Sequence, residues 1–263
     1  MRLDSLMFER GMASSRSRAQ ALIMAGKVFV DGRCVQKAGH EVSEGADIEV
    51  RGLDHPYVGR GGVKLEAAIR RFAIDCTGLT VLDVGASTGG FTDCLLQHGA
   101  ARVYALDVGF GQLDWGLRND PRVVTLERVN ARYVTPDLIP DRVDIVTIDC
   151  SFISLKLVLT GLLPLLAEGT RIIALVKPQF EVKRGEVGKG GVIRDPMLHE
   201  RVLREMAAFA HDHDIAVQGI IPSPIKGPKG NREFFMCLLK GAAGEVPEMD
   251  RVIRQALSEA EAR

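Results

Sequence analysis

Neither charge predominates in this chain: 34 Lys and Arg offset 34 Asp and Glu. Bulk charge therefore speaks neither for nor against a nucleic-acid partner, and only local basic patches can. Long apolar runs are missing too. The most apolar piece, LVLTGLLPLLA at 157–167, is too short to cross a bilayer and contains Pro164. The opening MRLDSLMFERG carries charges where a secretory signal needs an apolar stretch, so a cytoplasmic protein is expected. Cys34, Cys76, Cys94, Cys150 and Cys237 are odd in number and form no C-x-x-C pair. They read as reduced thiols and not as a disulfide or zinc framework, and no metal is expected. No internal repeat or low-complexity segment is present. What remains is 263 residues of ordinary globular composition, 46% hydrophobic and 26% charged. That suffices for one large core and a small appended domain.

Residues 1–50 have their own grammar. Leu3, Leu6 and Met7 predict a short helix. Ser14 or Ser15 can cap a second, SRSRAQALIMAG, which stops at Gly26. VFV, Asp31-Gly32 and RCV predict strand, tight turn and strand, and IEV a last strand. Arg10, Arg16, Arg18, Lys27, Arg33 and Lys37 punctuate this stretch. They form either a solvated basic face or one phosphate-binding surface.

RGLDHPYVGRGG (51–62) reads as a linker. After it, apolar runs alternate with helical patterns: LTVLDV, RVYALDV, RVVTL, VDIVTID and RIIALV. This predicts a doubly wound α/β domain over 63–245 with a mainly parallel sheet. AVQGIIP and EFFMCLL, joined by SPIKGPKGNR, predict an antiparallel pair at one edge. Asp195 and Pro196 predict the start of a helix, and the glycine-rich EVKRGEVGKGGVIR before it a mobile loop. A C-terminal helical tail is expected over 246–263.

The chemistry-bearing residues gather at predicted strand ends, where open α/β sheets bind ligands. In VLDVGASTGG, a strand ends at Asp83, Gly85, Gly89 and Gly90 allow a tight turn, and a helix follows. The spacing is D-x-G-x-x-x-G-G, unlike the dinucleotide pattern G-x-G-x-x-G. Asp107 ends the next strand and suits the ribose hydroxyls of a nucleoside cofactor, and Asn130 could meet an adenine edge. Lys64, Asp149, Lys177 and Glu233 map onto one rim. Singly, each reads as a solvated or snorkelling residue; together they suggest a site. Pro178 restricts Lys177 to extended geometry and ends its strand.

The first 50 residues, RLDSLMFERGMASSRSRAQALIMAGKVFVDG through Lys37 to DIEV, resemble an S4 RNA-binding domain. RGGVKL, DVGASTGGFTD, ALDVGFGQL, IDCSFISL, LVKPQFEV, GKGGVIRDP and GNREF resemble the FtsJ/RrmJ-like 2′-O-methyltransferases, and the whole chain looks like the TlyA family. The resemblance implies a Rossmann-like class I methyltransferase fold, a seven-stranded mainly parallel sheet with an antiparallel edge strand, after an α+β S4 domain. It implies S-adenosylmethionine as cofactor and ribosomal RNA or ribosomal subunits as partner, with a cytidine 2′-hydroxyl as target. Lys64, Asp149, Lys177 and Glu233 fall on the catalytic tetrad. Asp83, Gly85, Ala86, Ser87, Gly89, Gly90, Phe91, Asp107, Val108, Asn130 and Asp149 fall on the cofactor site. Lys177 is the expected base, which must be neutral for part of its cycle; a neighbouring cation, Lys64, and a partly dry rim favour that state. Lys226 and Lys229 are expected on phosphates. Gly59, Phe110 and Cys150 depart from the family's common serine, tyrosine and valine.

Three rival readings remain. A nicotinamide oxidoreductase fits the glycine turn but not its spacing. A haemolysin or pore-forming protein, a label the family carries, lacks a membrane span or an aromatic-rich amphipathic helix here. An RNA-binding ribosome-assembly factor with an idle site would leave the four charged residues unexplained.

Overall fold

The first unit follows local rules. α1 (Leu3–Glu9) and α2 (Arg16–Met24) precede β1 (Val28–Val30), β2 (Arg33–Val35) and β3 (Ile48–Val50), in a computed structural model that describes residues 1–13, 16–51, 55–241 and 248–262. The side chains of Arg18 and Arg184, and the expected caps Ser14 and Ser15, lie outside the described residues. The strands form an antiparallel sheet in the order β2-β1-β3. Asp31 and Gly32 both take positive φ, 48° and 77°, as a two-residue hairpin loop matching strand twist requires. Leu3, Leu6, Met7, Leu22 and Ile23 close on Val28 and Ile48 to make a small core. Asp4 is wholly buried beneath it. Arg2 donates to both its oxygens, at 3.0 and 2.8 Å, and Gln20 to one at 2.7 Å. The Arg2 guanidinium holds that carboxyl well below the usual range, against the opposing effect of burial.

The second unit begins with α3 (Gly61–Arg71) and continues β4 (Thr80–Val84), α4 (Gly90–Gln97), β5 (Arg102–Asp107), α5 (Trp115–Arg118), β6 (Val123–Glu127) and β7 (Ile145–Ile148). Then come α6 (Leu155–Leu162), β8 (Arg171–Val176), α7 (Pro196–His211), β9 (Ile215–Pro222), β10 (Phe234–Lys240) and α8 (Met249–Glu261). Seven strands form one sheet in the order β6-β5-β4-β7-β8-β10-β9. Side chains alternate between two buried faces. Val81, Val103 and Ile173 pack with Leu65 of α3 and Leu95 of α4. Leu82, Val146 and Ile172 pack with Leu159, Leu203 and Ile253 of α6, α7 and α8. Burial on both faces is why these strands read as continuous apolar runs. The chain runs outward from β4 to β5 and β6, then returns to β7 on the other side of β4. The switch point therefore lies at the end of β4.

Four expectations need adjustment. The antiparallel pair does occupy one edge, but the reversed strand, β10, is inserted between β8 and β9, and β9 forms the edge. The C-terminal helix is no loose tail: in α8, Ile253, Ala256 and Ala260 are buried against the sheet. Tyr57, within the predicted linker, is buried in the core of the second unit, and Val58 N donates to Asp93 at 2.8 Å. The loop expected to be mobile carries 3-10 turns at Arg184–Glu186 and Lys189–Gly191. Arg201 donates to both oxygens of Glu186, at 2.8 and 2.6 Å, and tethers the first turn to α7.

Glycines let α3 and α4 begin almost in contact. A Cβ on Gly90 would meet Gly59 O and Gly62 N at 3.1 Å and Gly61 Cα at 3.2 Å, all rigid backbone. Replacing Gly90 by Ala should destabilise the fold by about 1–3 kcal/mol through overpacking. Gly185→Ala, where no atom lies within 4 Å of the added methyl, should stay within about 0.5 kcal/mol. Urea midpoints of the two variants check both values.

Candidate active site

The site grows from the end of β4. Asp83 points into the core, fully buried, and accepts Thr92 Oγ1 of α4 at 2.6 Å and Thr147 Oγ1 of β7 at 2.9 Å. Burial pushes its carboxyl up to about 6 despite these two donors, and the charge of Asp149 adds to the rise. The backbone then turns through Gly85 and Gly89, with φ of 84° and 96°. A Cβ on Gly85 would sit 2.9 Å from the Asp149 carbonyl oxygen, so only glycine lets β4 and β7 end side by side here. Asp107, after β5, secures the turn from the other side. Its two oxygens accept Ser87 N at 2.8 Å and Gly109 N at 2.7 Å.

A cavity of about 600 Å³ opens beside this turn. Gly85, Ala86, Ser87, Gly90 and Phe91 form one side, and Lys64, Asp149, Lys177 and Glu233 converge on it from four separate segments. Lys64 comes from the first turns of α3, and its Nζ lies 2.5 Å from Oε2 of Glu233, the residue preceding β10. Both side chains are almost wholly buried, 9% and 1% exposed. Lys177, just beyond β8, pairs with Asp149, just beyond β7, at 2.6 Å. That contact is an ion pair lacking hydrogen-bond alignment; the aligned donation from Lys177 Nζ goes to Ser151 Oγ at 2.8 Å. Each ammonium thus faces its own carboxylate at the rim.

Several residues that the sequence did not single out complete the walls. Asn231, 3% exposed, accepts Ile193 N at 2.9 Å and donates to Gly191 O at 2.8 Å, joining the 188–193 and 223–231 loops. Gly227 lies against the Glu233 carboxylate, which a Cβ would displace. Glu181 accepts Leu155 N and Ser154 Oγ, both at 2.7 Å, and so fastens the segment after Lys177 to the start of α6. Phe152 and Phe180 line the cavity with rings 5.1 Å apart, and Phe152 is 89% exposed. A large exposed aromatic in a strand-end segment was the one available signal.

The other expected site residues are dispersed. Val108 is exposed beyond β5 and Asn130 is exposed beyond β6, where its side chain caps the 3-10 turn Ala131–Tyr133 by accepting Arg132 N. Lys229 stands on the cavity wall, while Lys226 faces neighbouring hollows. In the first unit, Arg16, Arg33 and Lys37 are exposed, Lys27 is half-buried, and the Arg18 side chain lies outside the described residues. Arg10 donates to the Ala46 carbonyl at 2.8 Å and to the Glu44 carbonyl, so its guanidinium staples a loop.

The Asp83 shift has a thermodynamic consequence. Its folded value of about 6 exceeds the ordinary 3.8, so the stability it confers is full below pH 3.8 and is lost as pH rises through 6. Between pH 4 and 7 the wild type should lose about 3 kcal/mol relative to Asp83→Asn. Paired urea titrations at the two pH values measure the difference.

Comparison with known proteins agrees with this architecture. Residues 57–240 match the FtsJ-like methyltransferase family and residues 1–48 match the S4 domain. The 16S/23S rRNA (cytidine-2′-O)-methyltransferase TlyA of Mycobacterium tuberculosis is 48% identical over 238 residues, 90% of this chain and 89% of that one. A candidate rRNA methyltransferase of Bacillus subtilis, YqxC, is 45% identical over 262 residues, 97% of this chain and 93% of that one. The solved structure of a candidate hemolysin from Streptococcus thermophilus superposes with a TM-score of 0.79 at 40% identity, covering 100% of this chain and 96% of that one. Among the described residues, no helix is long and apolar enough to cross a membrane. With an S4 unit joined to a methyltransferase sheet, and relatives of this identity along nearly its whole length, the chain belongs to the TlyA family of FtsJ-like methyltransferases.

Proposed function

We propose that this protein methylates a ribose 2′-hydroxyl of ribosomal RNA, with S-adenosylmethionine as donor and a cytidine as target. One observation carries the reading: two lysine–carboxylate pairs, Lys64–Glu233 and Lys177–Asp149, flank one cavity beside a glycine turn. A cavity of about 600 Å³ suits a nucleoside-sized ligand. Gly85, Ala86, Ser87, Gly90 and Phe91 would hold the cofactor, and Asp107 keeps a second lone pair on each oxygen for its ribose. Asp83 serves from beneath by anchoring α4 and β7. When bound, the cofactor supplies a methyl group on a sulfonium, already electrophilic.

The protein must align the 2′-oxygen with that methyl and accept one proton. Lys177, in its neutral form, takes the 2′-hydroxyl proton at Nζ as the oxygen–carbon bond forms and the carbon–sulfur bond breaks. Asp149 and Ser151 fix the position of Nζ. Lys64, held by Glu233, stabilises negative charge developing on the 2′-oxygen. The Phe152–Phe180 pair offers a face on which an unstacked base can lie. The S4 unit, with Arg16, Arg33 and Lys37 exposed, supplies a second RNA contact.

Replacing Lys177 by Ala should lower single-turnover methylation at least about a hundredfold, the typical range of a general base. S-adenosylmethionine binding, followed by calorimetry, should remain intact. A variant that still methylates ribosomal RNA at the wild-type rate sinks the assignment of the base. Replacing Lys226 and Lys229 together by Gln should reduce the slope of log affinity for RNA against log salt by about 1.5–2, one phosphate contact for each lysine. An unchanged slope, measured by filter binding across a salt series, rejects that role.

A further inference from the structure

A second hollow, of about 360 Å³, lies beyond the loop clamp made by Asn231. Its walls carry Arg194, Arg232, Lys226 and Lys229, and Lys229 also lines the main cavity. No carboxylate lines the hollow. None of the four cations is ion-paired to a described residue, whereas Arg201 and Arg204 nearby in sequence both are. Asp195, which follows Arg194, is turned to other work, capping α7 by accepting Met197 N.

The floor of the hollow supplies an independent sign of a ligand. His199, in the first turn of α7, is 1% exposed, and neither of its ring nitrogens has a hydrogen-bond partner. It packs against the Phe234 ring, 5.8 Å between centroids, and lines the hollow. Burial, followed by Arg232, pushes its imidazole down; the Ile193 backbone and Asp195 oppose that weakly. A buried imidazole without a partner is costly unless something fills the gap. The surrounding cations say what: an oxyanion that accepts hydrogen bonds.

We propose that this hollow seats one phosphodiester of the RNA strand that carries the acceptor ribose. Arg194, Arg232, Lys226 and Lys229 neutralise it from the walls, and His199 donates an N–H from the floor. The proposal rests on the RNA methyltransferase reading and adds to it a fixed register. Because Lys229 borders both cavities, a strand anchored here leads a neighbouring nucleotide into the main one.

The test uses the full-length protein with S-adenosylmethionine and a ribosomal RNA fragment that it binds. The RNA is made as a series in which one linkage at a time is a neutral methylphosphonate. For the wild type, neutralising one particular linkage should weaken binding about tenfold. In Arg194→Gln, whose side chain is exposed, and separately in His199→Gln, the same change should cost less than about twofold, because its partner is already gone. Equal losses in wild type and variants at every linkage overturn the proposal, and the exposed position of Arg194 keeps that outcome independent of folding. Methyl transfer is read on the same series. Transfer without a linkage masked by the variants refutes the phosphate seat and leaves the methyltransferase reading intact. A masked linkage without transfer upholds the seat and refutes the methyltransferase reading.

Discussion

The site depends on the buried pairing of Lys64 with Glu233, residues 169 positions apart in sequence. Removing two charges from water is expensive, and their mutual attraction offsets it only with close geometry. The pair lies at 2.5 Å, and the glutamate also packs against Gly227. Losing one partner would leave an uncompensated charge in the wall of the cavity, at a cost of about 3–5 kcal/mol. The start of α3 and the start of β10 are thereby tied together across the mouth of the sheet. A stability-driven design would place apolar residues there. Retaining a buried ion pair makes sense when one of its charges must meet a substrate.

The same logic recurs one layer down. Asp83 is sealed under the glycine turn, where it joins β4, α4 and β7 through two threonine hydroxyls. The glycines above it allow Gly85 to approach Asp149 and α3 to approach α4. The polar rim is therefore held by backbone contact and buried hydrogen bonds, which move little. The RNA-facing loops are held differently, through Asn231, Glu181 and Glu186. A rigid cofactor side and a loop side fastened by side chains is the division of labour expected where one ligand is small and the other large.

Much of the fold was legible because its rules are short-ranged. Asp195 and Pro196 announce α7, and Asp31-Gly32 announces the hairpin, since caps and turns act within a few residues. The strands of the large sheet showed as apolar runs because both of their faces are covered. The position of β10 was not legible. A short connection makes β9 and β10 antiparallel neighbours, but which of them meets β8 depends on pairing with a strand about 60 residues earlier. Asn231 looked like a loop residue because its burial is set by a different loop. The burial of His199 was equally hidden, since α7's periodicity does not reveal what lies across from it.

Charged residues mark the same boundary from the other side. Lys64, Asp149, Lys177 and Glu233 were each ordinary strand-end or helix-start residues by themselves, and family resemblance was what grouped them. By itself, the sequence determined the strands, the glycine turn, the helix starts and the motifs that identify the family, all carried by local periodicity and spacing. Only the tertiary structure decided which lysine faces which carboxylate, that Asp83 lies below the site and that Arg10 holds a loop. It alone set four cations, none ion-paired to a described residue, around a buried histidine. Those outcomes turn on burial and ångström-scale separation between distant segments. Electrostatic and hydrogen-bond energies depend steeply on both, and neither is written in the spacing of residues along the chain.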